Sequence, residues 1–413
     1  KLTDIFCSTA KIPLVAYTGL EYQLSAIQNN RAIFVLWAIT GKLDAPGAIY
    51  LNAKGLETPK LFEIPEDDKP IGVDEFPLFY KFSGQGQFSR FPKAVLEDEP
   101  YPVRGLMILG GSPVLSFPDS KSWREAYKKL DCLIVLDRYF TEDARYADVV
   151  FPACSLFEVP KAVPGPEGPH IVEPLIEPVG ESKNDVLIMG TIAKKLGFGD
   201  KLPQTEEELR SWLLSRTAPY AGDFGTSADQ KKEKHYKKYE TGELRADGKP
   251  GFPTPSGKLE ICSTILEENG FVPYPEYKDV RSIPELAGKE YPFTMTSGAR
   301  SNNRMGVFGA NLDKIAEIEP YPFVDINAED AKEIGIKDGD MVKVITPFAD
   351  GTFKAKIRGI ARHAIHIPHG GGSAYMTEPW KNGNVNDLCS LDYADPMTGF
   401  VLIKSVPCRV EKV

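Results

Sequence analysis

Two short segments of the sequence carry residues suited to holding a nucleotide. Gly110-Gly111-Ser112-Pro113 follows the apolar stretch "RGLMIL", and Asp137 and Thr141 follow the apolar stretch "CLIVLD". Glycines let a backbone approach a ligand closely, and a carboxylate accepts hydrogen bonds from a ribose or from guanine N–H groups. The pattern therefore predicts a nucleotide site. The alternative is a plain turn at 110–113, with Asp137 only leading into a helix.

His363, His366 and His369 are spaced by three residues and invite a metal interpretation. On a strand, however, neighbours at that spacing point to opposite faces, and no carboxylate or thiol partner has matched spacing. We therefore predict no metal site in this chain. His369, next to a run of glycines, is interpreted as a polar contact to a bound ligand.

Cysteines give no sign of a metal cluster or a disulfide framework. The six lie at positions 7, 132, 154, 262, 389 and 408, without a CxxC pair. The usual spacing for zinc or iron–sulfur ligands is therefore missing. A chain of 413 residues can bury its own core without disulfides. We expect scattered buried thiols, Cys7 included.

The elements that must position the first two segments alternate between strand and helix. "RGLMIL", "CLIVLD" and "ADVVFPA" predict strands, and "SWREAYKKL" predicts a helix with Ser122 and Glu125 as a capping box. Thr141 can cap a second, short helix whose first turn carries Glu142 and Asp143, favourably for the helix dipole. This order predicts a parallel doubly wound sheet, with ligands at the carboxyl ends of its strands.

Other parts of the first 285 residues are less regular. The apolar run Ala32–Thr40 predicts a buried helix and is too short to span a membrane. Residues 55–102 are proline-rich and aperiodic, which predicts a long irregular excursion over a surface or a partner. The basic run "KKEKHYKK" at 231–238 predicts a solvated face.

From about Tyr291 the sequence turns to short strands and tight turns. "INAEDAKEIG" predicts a helix capped by Asn327, and "DGDMVKVITP" and "GTFKAKIRG" predict strands joined at Asp350-Gly351. We predict a β-barrel over 286–413, an α/β domain over 1–200, and a variable linker over 201–285.

Charge and composition exclude some classes of partner. The net charge of −9 argues against nucleic acid or an anionic membrane surface, and 42% hydrophobic residues are typical of a soluble globular protein. The chain starts with Lys1 and has no signal-peptide pattern, so we expect an internal start.

The motifs together resemble the molybdopterin guanine dinucleotide oxidoreductases of the dimethyl sulfoxide reductase family. "LMILGGSPVLSFPDS…LDCLIVLDRYFTEDARYADVVFPACSLFE" resembles the third domain of that family, where a G-x-N-P loop and a D-x-x-x-T-x-x-A-x-x-A-D segment bind one dinucleotide. Ser112 stands where the family usually has Asn. Asp185 follows a P-x-G-E-x-K pattern, as in the family.

The C-terminal part resembles the dinucleotide-binding double-psi β-barrel of the same family, entered through "TPSGKLE". By this resemblance, Gly298, Arg300 and Arg304 are expected at the pyranopterin and phosphate, Asn386 at the pterin, and Lys404 as the C-terminal cofactor lysine. The resemblance implies a Rossmann-like doubly wound domain followed by this barrel.

The resemblance also implies cofactors and partners. Two molybdopterin guanine dinucleotides with molybdenum or tungsten are expected. The [4Fe–4S] centre and the metal-ligating residue are expected in an N-terminal half that this sequence does not match, so no catalytic residue is assigned here. An iron–sulfur electron-transfer subunit, and a periplasmic or cell-envelope location, follow from the same resemblance.

Three functions remain open at this stage. The first is a respiratory oxidoreductase acting on an inorganic sulfur, arsenic or formate-type substrate, with this part binding cofactor and not catalytic alone. The second is a non-redox tungsten hydratase resembling acetylene hydratase. The third is a structural subunit that has lost its cofactor, against which the retained Asp137, Arg300, Asn386 and Lys404 argue.

Overall fold

A computed structural model describes residues 1–51, 69–165, 168–217, 235–298 and 313–413. Its helices are α1 Leu2–Ser8, α2 Ala26–Ile39, α3 Pro77–Ser83, α4 Phe91–Glu97, α5 Pro113–Ser116, α6 Ser120–Lys129, α7 Asp185–Lys195, α8 Glu206–Thr217, α9 Lys238–Thr241, α10 Thr264–Glu268, α11 Asp313–Ile318, α12 Ala328–Glu333 and α13 Glu378–Lys381. Its strands are β1 Gly105–Leu109, β2 Cys132–Asp137, β3 Val149–Pro152, β4 Lys161–Val163, β5 His170–Val172, β6 Phe293–Gly298, β7 Phe323–Asn327, β8 Met341–Ile345, β9 Asp350–Arg358, β10 Ala364–Pro368 and β11 Val406–Lys412. Within these ranges, every helix is too short or too polar to cross a lipid bilayer.

Strands β1, β2 and β3 form a parallel sheet in that order. The predicted strands and the helix between the first two are thereby confirmed. The predicted capping box is wrong, because α6 begins at Ser120 and the carboxylate of Asp119 accepts the backbone N–H of Ser122. Glu125 instead pairs with Lys128 at 2.7 Å. The second, short helix is a single 3₁₀ turn, Asp143–Arg145.

The stretch predicted as an irregular excursion contains two helices, α3 and α4. Proline is the first residue of α3 (Pro77) and the second residue of α4 (Pro92). At these positions a backbone N–H has no partner within the helix, so its absence in proline costs no hydrogen bond. Phe91 is buried and its ring stacks on that of Trp123, with centroids 5.6 Å apart. The prediction was therefore wrong for 77–97: α4 packs against the sheet domain, whereas Leu78 of α3 packs with Leu266 and Met397. Residues 55–68 of that stretch lie outside the described part.

The six C-terminal strands close into a barrel in the order β10-β6-β11-β8-β9-β7. Alternate residues face inward, and Met295, Val324, Phe353 and Ile365 are fully buried in its core. The barrel was predicted, and so was Asn327 as the cap of α12. The hairpin turn is shifted from the prediction: Ile345 pairs with Asp350, so the loop is 346–349 and Asp350-Gly351 lies in β9.

Two expectations about burial are wrong. The apolar run in α2 is helical but lies at the surface, with Phe34, Leu36 and Ile39 exposed. In the basic run, residues 231–234 lie outside the described part, and His235 and Lys237 are exposed as predicted. Lys238, at the end of the run, is instead buried. Its Nζ lies 2.5 Å from Oδ1 of Asp44 and 3.8 Å from the centre of the Tyr50 ring.

The cysteines also depart from the expectation of buried thiols. Cys389 and Cys408 are buried, whereas Cys7, Cys132 and Cys262 are exposed and Cys154 is half-buried. Cys132 is the first residue of β2 and lies at the exposed end of that strand.

Candidate cofactor-binding site

The carboxyl ends of β1 and β2 bring Gly110 and Asp137 side by side. The backbone N–H of Gly110 donates to the carbonyl of Leu136 at 2.9 Å. This hydrogen bond connects the glycine loop to the C-terminal end of β2. Gly110 has φ +59°, and within the described residues no atom lies within 4 Å of where a Cβ would be. The space above this glycine is therefore open to a ligand.

Asp137 and Asp185 form a pair of carboxylates at this edge of the sheet. Asp185 opens α7, and burial, together with the negative charge of Asp137, raises its pKa. The side chain of Asn184 accepts the N–H of Val186 at 2.9 Å and fixes the start of that helix. Two adjacent carboxylates repel each other, and a ligand that supplies N–H donors would relieve that repulsion.

Ser112 and Thr141 have their side chains directed into the protein. The Ser112 hydroxyl donates to the carboxylate of Asp143, which also accepts the N–H of Val114 at 3.2 Å and the hydroxyl of Tyr127 at 2.8 Å. Thr141 Oγ1 accepts the N–H of Ala144 at 3.3 Å, as its predicted capping role requires. At these two positions, backbone groups are therefore the groups best placed to meet a ligand.

Asp143 is a residue that the sequence analysis undervalued. It was assigned only to a helix dipole, yet it is fully buried and its three hydrogen bonds hold the glycine loop in place. Burial raises the pKa of its carboxyl group. The available signal was a second acid next to Glu142 in a segment otherwise rich in alanine.

The barrel brings a second set of predicted residues together at the end of β6. The N–H of His369 donates to the carbonyl of Gly298 at 3.1 Å, and the Lys404 ammonium donates to the carbonyl of Ser297. Gly298 has φ +99°, and a Cβ there would collide with Lys404 Nζ. Lys404 is 9% exposed, and burial lowers its pKa. Arg300 and Arg304, predicted for this rim, lie outside the described residues.

The three histidines do not converge. His366 Nδ1 lies 3.0 Å from Oδ2 of Asp325, and His363 Nδ1 lies 3.8 Å from Oδ1 of Asp330. His369 uses its backbone N–H on Gly298. His363 and His366 therefore face different carboxylates, although His366 Nε2 also lies 3.4 Å from the Gly298 carbonyl oxygen that accepts the His369 N–H.

Asn386 lies where the barrel contacts the sheet domain, between the two groups of predicted site residues. It is 1% exposed, and its amide NH₂ group donates to the carbonyls of Leu115 at 2.8 Å and Ser116 at 3.0 Å. Both carbonyls belong to α5, directly after the glycine loop 110–113. Only the side-chain oxygen of Asn386 is left for the predicted pterin contact.

The loop 370–374, after β10, packs against the same helix. Gly372 has φ +95°, and a Cβ there would lie 2.9 Å from Leu115 Cδ2 and 2.8 Å from Asn384 Cβ. The carboxylate of Asp387 accepts the hydroxyl of Ser120 in the next helix. The two predicted dinucleotide sites are therefore joined by direct contacts.

The chemistry of both sets suits a dinucleotide with a guanine base and a pyrophosphate. Carboxylates at 137 and 185 suit guanine N–H groups, and the Lys404 ammonium suits a phosphate. The open space at Gly110 and the close approach at Gly298 suit a ligand lying against backbone.

Comparison with known proteins agrees with this geometry. Residues 25–195 match the family "Molybdopterin oxidoreductase", and residues 294–407 match the "Molydopterin dinucleotide binding domain". A formate dehydrogenase subunit alpha of Methanocaldococcus jannaschii is 31% identical over 64% of this chain and 38% of its own length. The probable oxidoreductase YoaE of Bacillus subtilis is 31% identical over 78% of this chain and 46% of its own length.

A solved structure shares the fold across nearly the whole chain. Acetylene hydratase from Pelobacter acetylenicus superposes with a TM-score of 0.80 over 99% of this chain and 62% of that chain, at 21% identity. The chain belongs to the molybdopterin oxidoreductase family, and its two matched domains bind molybdopterin guanine dinucleotide carrying molybdenum or tungsten. It spans less than half the length of the two curated relatives named above.

Glu158 supports the segment that leads to Asp185. Its carboxylate accepts the backbone N–H groups of Ser155 and Val179, the latter at 2.6 Å, and the hydroxyl of Ser182 at 3.4 Å. These hydrogen bonds, those from Ser155 first, lower the pKa of Glu158 from 4.5 to about 2.

The segment 155–182 is therefore expected to loosen in acid. A lowered pKa stabilises the folded segment above pH 4.5, and this contribution is lost as the pH falls from 4.5 to about 2. Hydrogen exchange of the Val179 amide, corrected for its intrinsic pH dependence, should show protection falling across this window. Glu158→Gln should lower protection at neutral pH and remove the acid step, whereas Glu177→Gln, at an exposed position of the same segment, should leave both unchanged. An acid step that persists in Glu158→Gln would contradict this assignment.

Proposed function

We propose that this chain is the cofactor-binding part of a molybdenum or tungsten oxidoreductase that holds two molybdopterin guanine dinucleotides. One would lie at the carboxyl ends of β1 and β2, and the other at the rim of the barrel. The observation that carries the proposal is the placement of Asp137 with Asp185, and of Gly298 with Lys404, at two adjoining sites. We also propose that the sheet domain has a Rossmann-like fold and that the barrel is a double-psi β-barrel.

The bound metal would supply two-electron redox chemistry. The residues of this chain would bind and orient its ligands. Asp137 and Asp185 would accept the N–H groups of one guanine, and the backbone at Gly110–Pro113 would lie along the adjoining ribose and phosphate. Lys404 would balance charge on a pyrophosphate, and Gly298 leaves room for the Lys404 ammonium, with which a Cβ at that position would collide.

The activity of the whole protein would also depend on residues outside this chain. We propose formate, or an inorganic sulfur or arsenic compound, as its substrate, with support from the similarity to a formate dehydrogenase subunit alpha. An iron–sulfur subunit, a [4Fe–4S] centre and a cell-envelope location belong to the same proposal. A non-redox hydratase is the second candidate, since acetylene hydratase has the same fold and the fold alone does not separate the two.

Asp137→Ala in the full-length protein tests the proposal. Loss of a charged hydrogen-bond acceptor costs about 1.5–3 kcal/mol, so the dinucleotide should be held on the order of 10- to 100-fold less tightly. The measurements are guanine nucleotide and oxidised pterin released by acid, with molybdenum and tungsten by elemental analysis. Two pterins per metal atom are expected in the unmodified protein.

Asp131→Ala is the matched control. Asp131 precedes β2, at the opposite end from Asp137, and forms an exposed pair with Arg104 at 3.3 Å. This variant should keep its full cofactor content. In the cofactor-free form, both variants should unfold at nearly the temperature of the cofactor-free parent, since ligand binding itself raises that temperature. Full cofactor content in Asp137→Ala would remove the role proposed for that carboxylate. An unmodified, folded protein without pterin would favour the structural-subunit alternative.

A further inference from the structure

Glu142 is a buried carboxylate that reaches from the sheet domain into the barrel. It is 2% exposed, and its Oε2 accepts the backbone N–H of Ala374 at 2.9 Å. Its Oε1 accepts Nη1 of Arg145 at 2.9 Å and faces Nε of Arg124 at 3.7 Å. All of these neighbours are hydrogen-bond donors.

The two segments that Glu142 connects each carry predicted cofactor residues. On one side, Glu142 directly follows Thr141, which itself lies four residues after Asp137. On the other side, Ala374 ends the loop that begins after His369. The rings of Phe140, two residues before Glu142, and Tyr375, directly after Ala374, meet edge to face with centroids 5.5 Å apart.

We propose that Glu142 is a positioning residue that couples the two dinucleotide sites, by fixing loop 370–374 of the barrel to the turn that follows Asp137. The inference rests on the proposed function. Because one contact orders both segments, loss of a ligand at either site should loosen the other, as linkage between two sites requires. Arg124 and Arg145 hold the carboxylate in the orientation that meets Ala374.

Glu142→Gln removes this contact with little change in volume. An amide has one oxygen and one NH₂ group, whereas its neighbours Ala374, Arg124 and Arg145 are all donors, so glutamine cannot serve both sides. In the full-length, cofactor-loaded protein, this variant should release guanine nucleotide about tenfold faster than the parent, within the usual range of coupling between sites. The Ala374 amide should also exchange its hydrogen faster.

Asp330→Asn is the matched control. Asp330 is 1% exposed and likewise accepts an arginine Nε, from Arg362, and a backbone N–H, from His363, but both partners belong to the barrel. Asp330→Asn should lower the temperature of unfolding and still release nucleotide at the parental rate. Adding Arg145→Ala to Glu142→Gln should slow release again, because the glutamine oxygen can then turn to Ala374.

The outcomes separate this inference from the proposed function. Parental release from Glu142→Gln, or release from Asp330→Asn as fast as from Glu142→Gln, would overturn the coupling role. A parent protein that contains no guanine nucleotide would instead overturn the proposed function.

Discussion

Asn386→Leu is expected to destabilise the full-length protein by about 2–4 kcal/mol, because two backbone carbonyls lose their donors together. The carbonyls of Leu115 and Ser116 both accept from the Asn386 amide, and the first of these contacts is fully buried. Leucine has a similar volume but offers no donor, so water would have to enter or α5 would have to move. Thermal unfolding of the cofactor-free protein, followed by circular dichroism, would show a lower midpoint.

The same substitution should also weaken cofactor retention, since α5 directly follows the glycine loop 110–113. Asn327→Leu provides the control: Asn327 caps α12 and donates to the carbonyl of Ile360 at 2.6 Å, entirely within the barrel. It should destabilise the protein with no change in guanine nucleotide content. A parental unfolding midpoint in Asn386→Leu would mean that the two carbonyls find other partners.

Lys238→Met should cost about 3–5 kcal/mol, the usual penalty for leaving one charge of a buried ion pair without its partner. Asp44 is fully buried, and besides Lys238 Nζ it accepts the backbone N–H groups of Lys238 at 2.7 Å and Leu51 at 3.2 Å. Methionine would fill the space of the lysine stem without its charge. The double variant Asp44→Asn with Lys238→Met should recover part of the loss, because no unpaired charge remains.

Lys237→Met is the internal control for this pair. Lys237 lies one residue earlier, and its ammonium forms an exposed pair with Glu240 at 3.4 Å. A surface pair of this kind contributes at most about 1 kcal/mol. Thermal midpoints of the four proteins should therefore separate Lys238→Met from the other variants. Equal midpoints for Lys237→Met and Lys238→Met would show that burial of Lys238 has no energetic consequence.

Local sequence patterns predicted the elements whose causes are local. A window of ten residues is enough to recognise the unbroken apolar run of β2, the alternation in β8 and β9, and the cap at Asn327. The barrel was predicted because its strands are short, alternating and separated by turns. Asp185 was expected as a site residue only from the family resemblance, and its closeness to Asp137 is a finding of the structure.

Features that depend on distant partners were missed. Lys238 reads as part of a solvated basic run because Asp44, which pairs with it, is 194 residues away. Glu142 was predicted only to interact with a helix dipole, because its partner Ala374 is 232 residues away in the sequence. The helices α3 and α4 were missed because their prolines suggested an irregular chain, although proline at the first turn favours a helix.

The contacts between α5 and Asn386 also set an order of events during synthesis. Leu115 precedes Asn386 by 271 residues. At ribosomal rates of about 5–20 residues per second, roughly 15–55 s separate their emergence. During that interval the sheet domain can form, but its carbonyls at 115 and 116 and Oε2 of Glu142, which later accepts from Ala374, must be satisfied by water. The surface that joins the two predicted dinucleotide sites therefore forms late in translation, after the barrel strand β10 has left the ribosome.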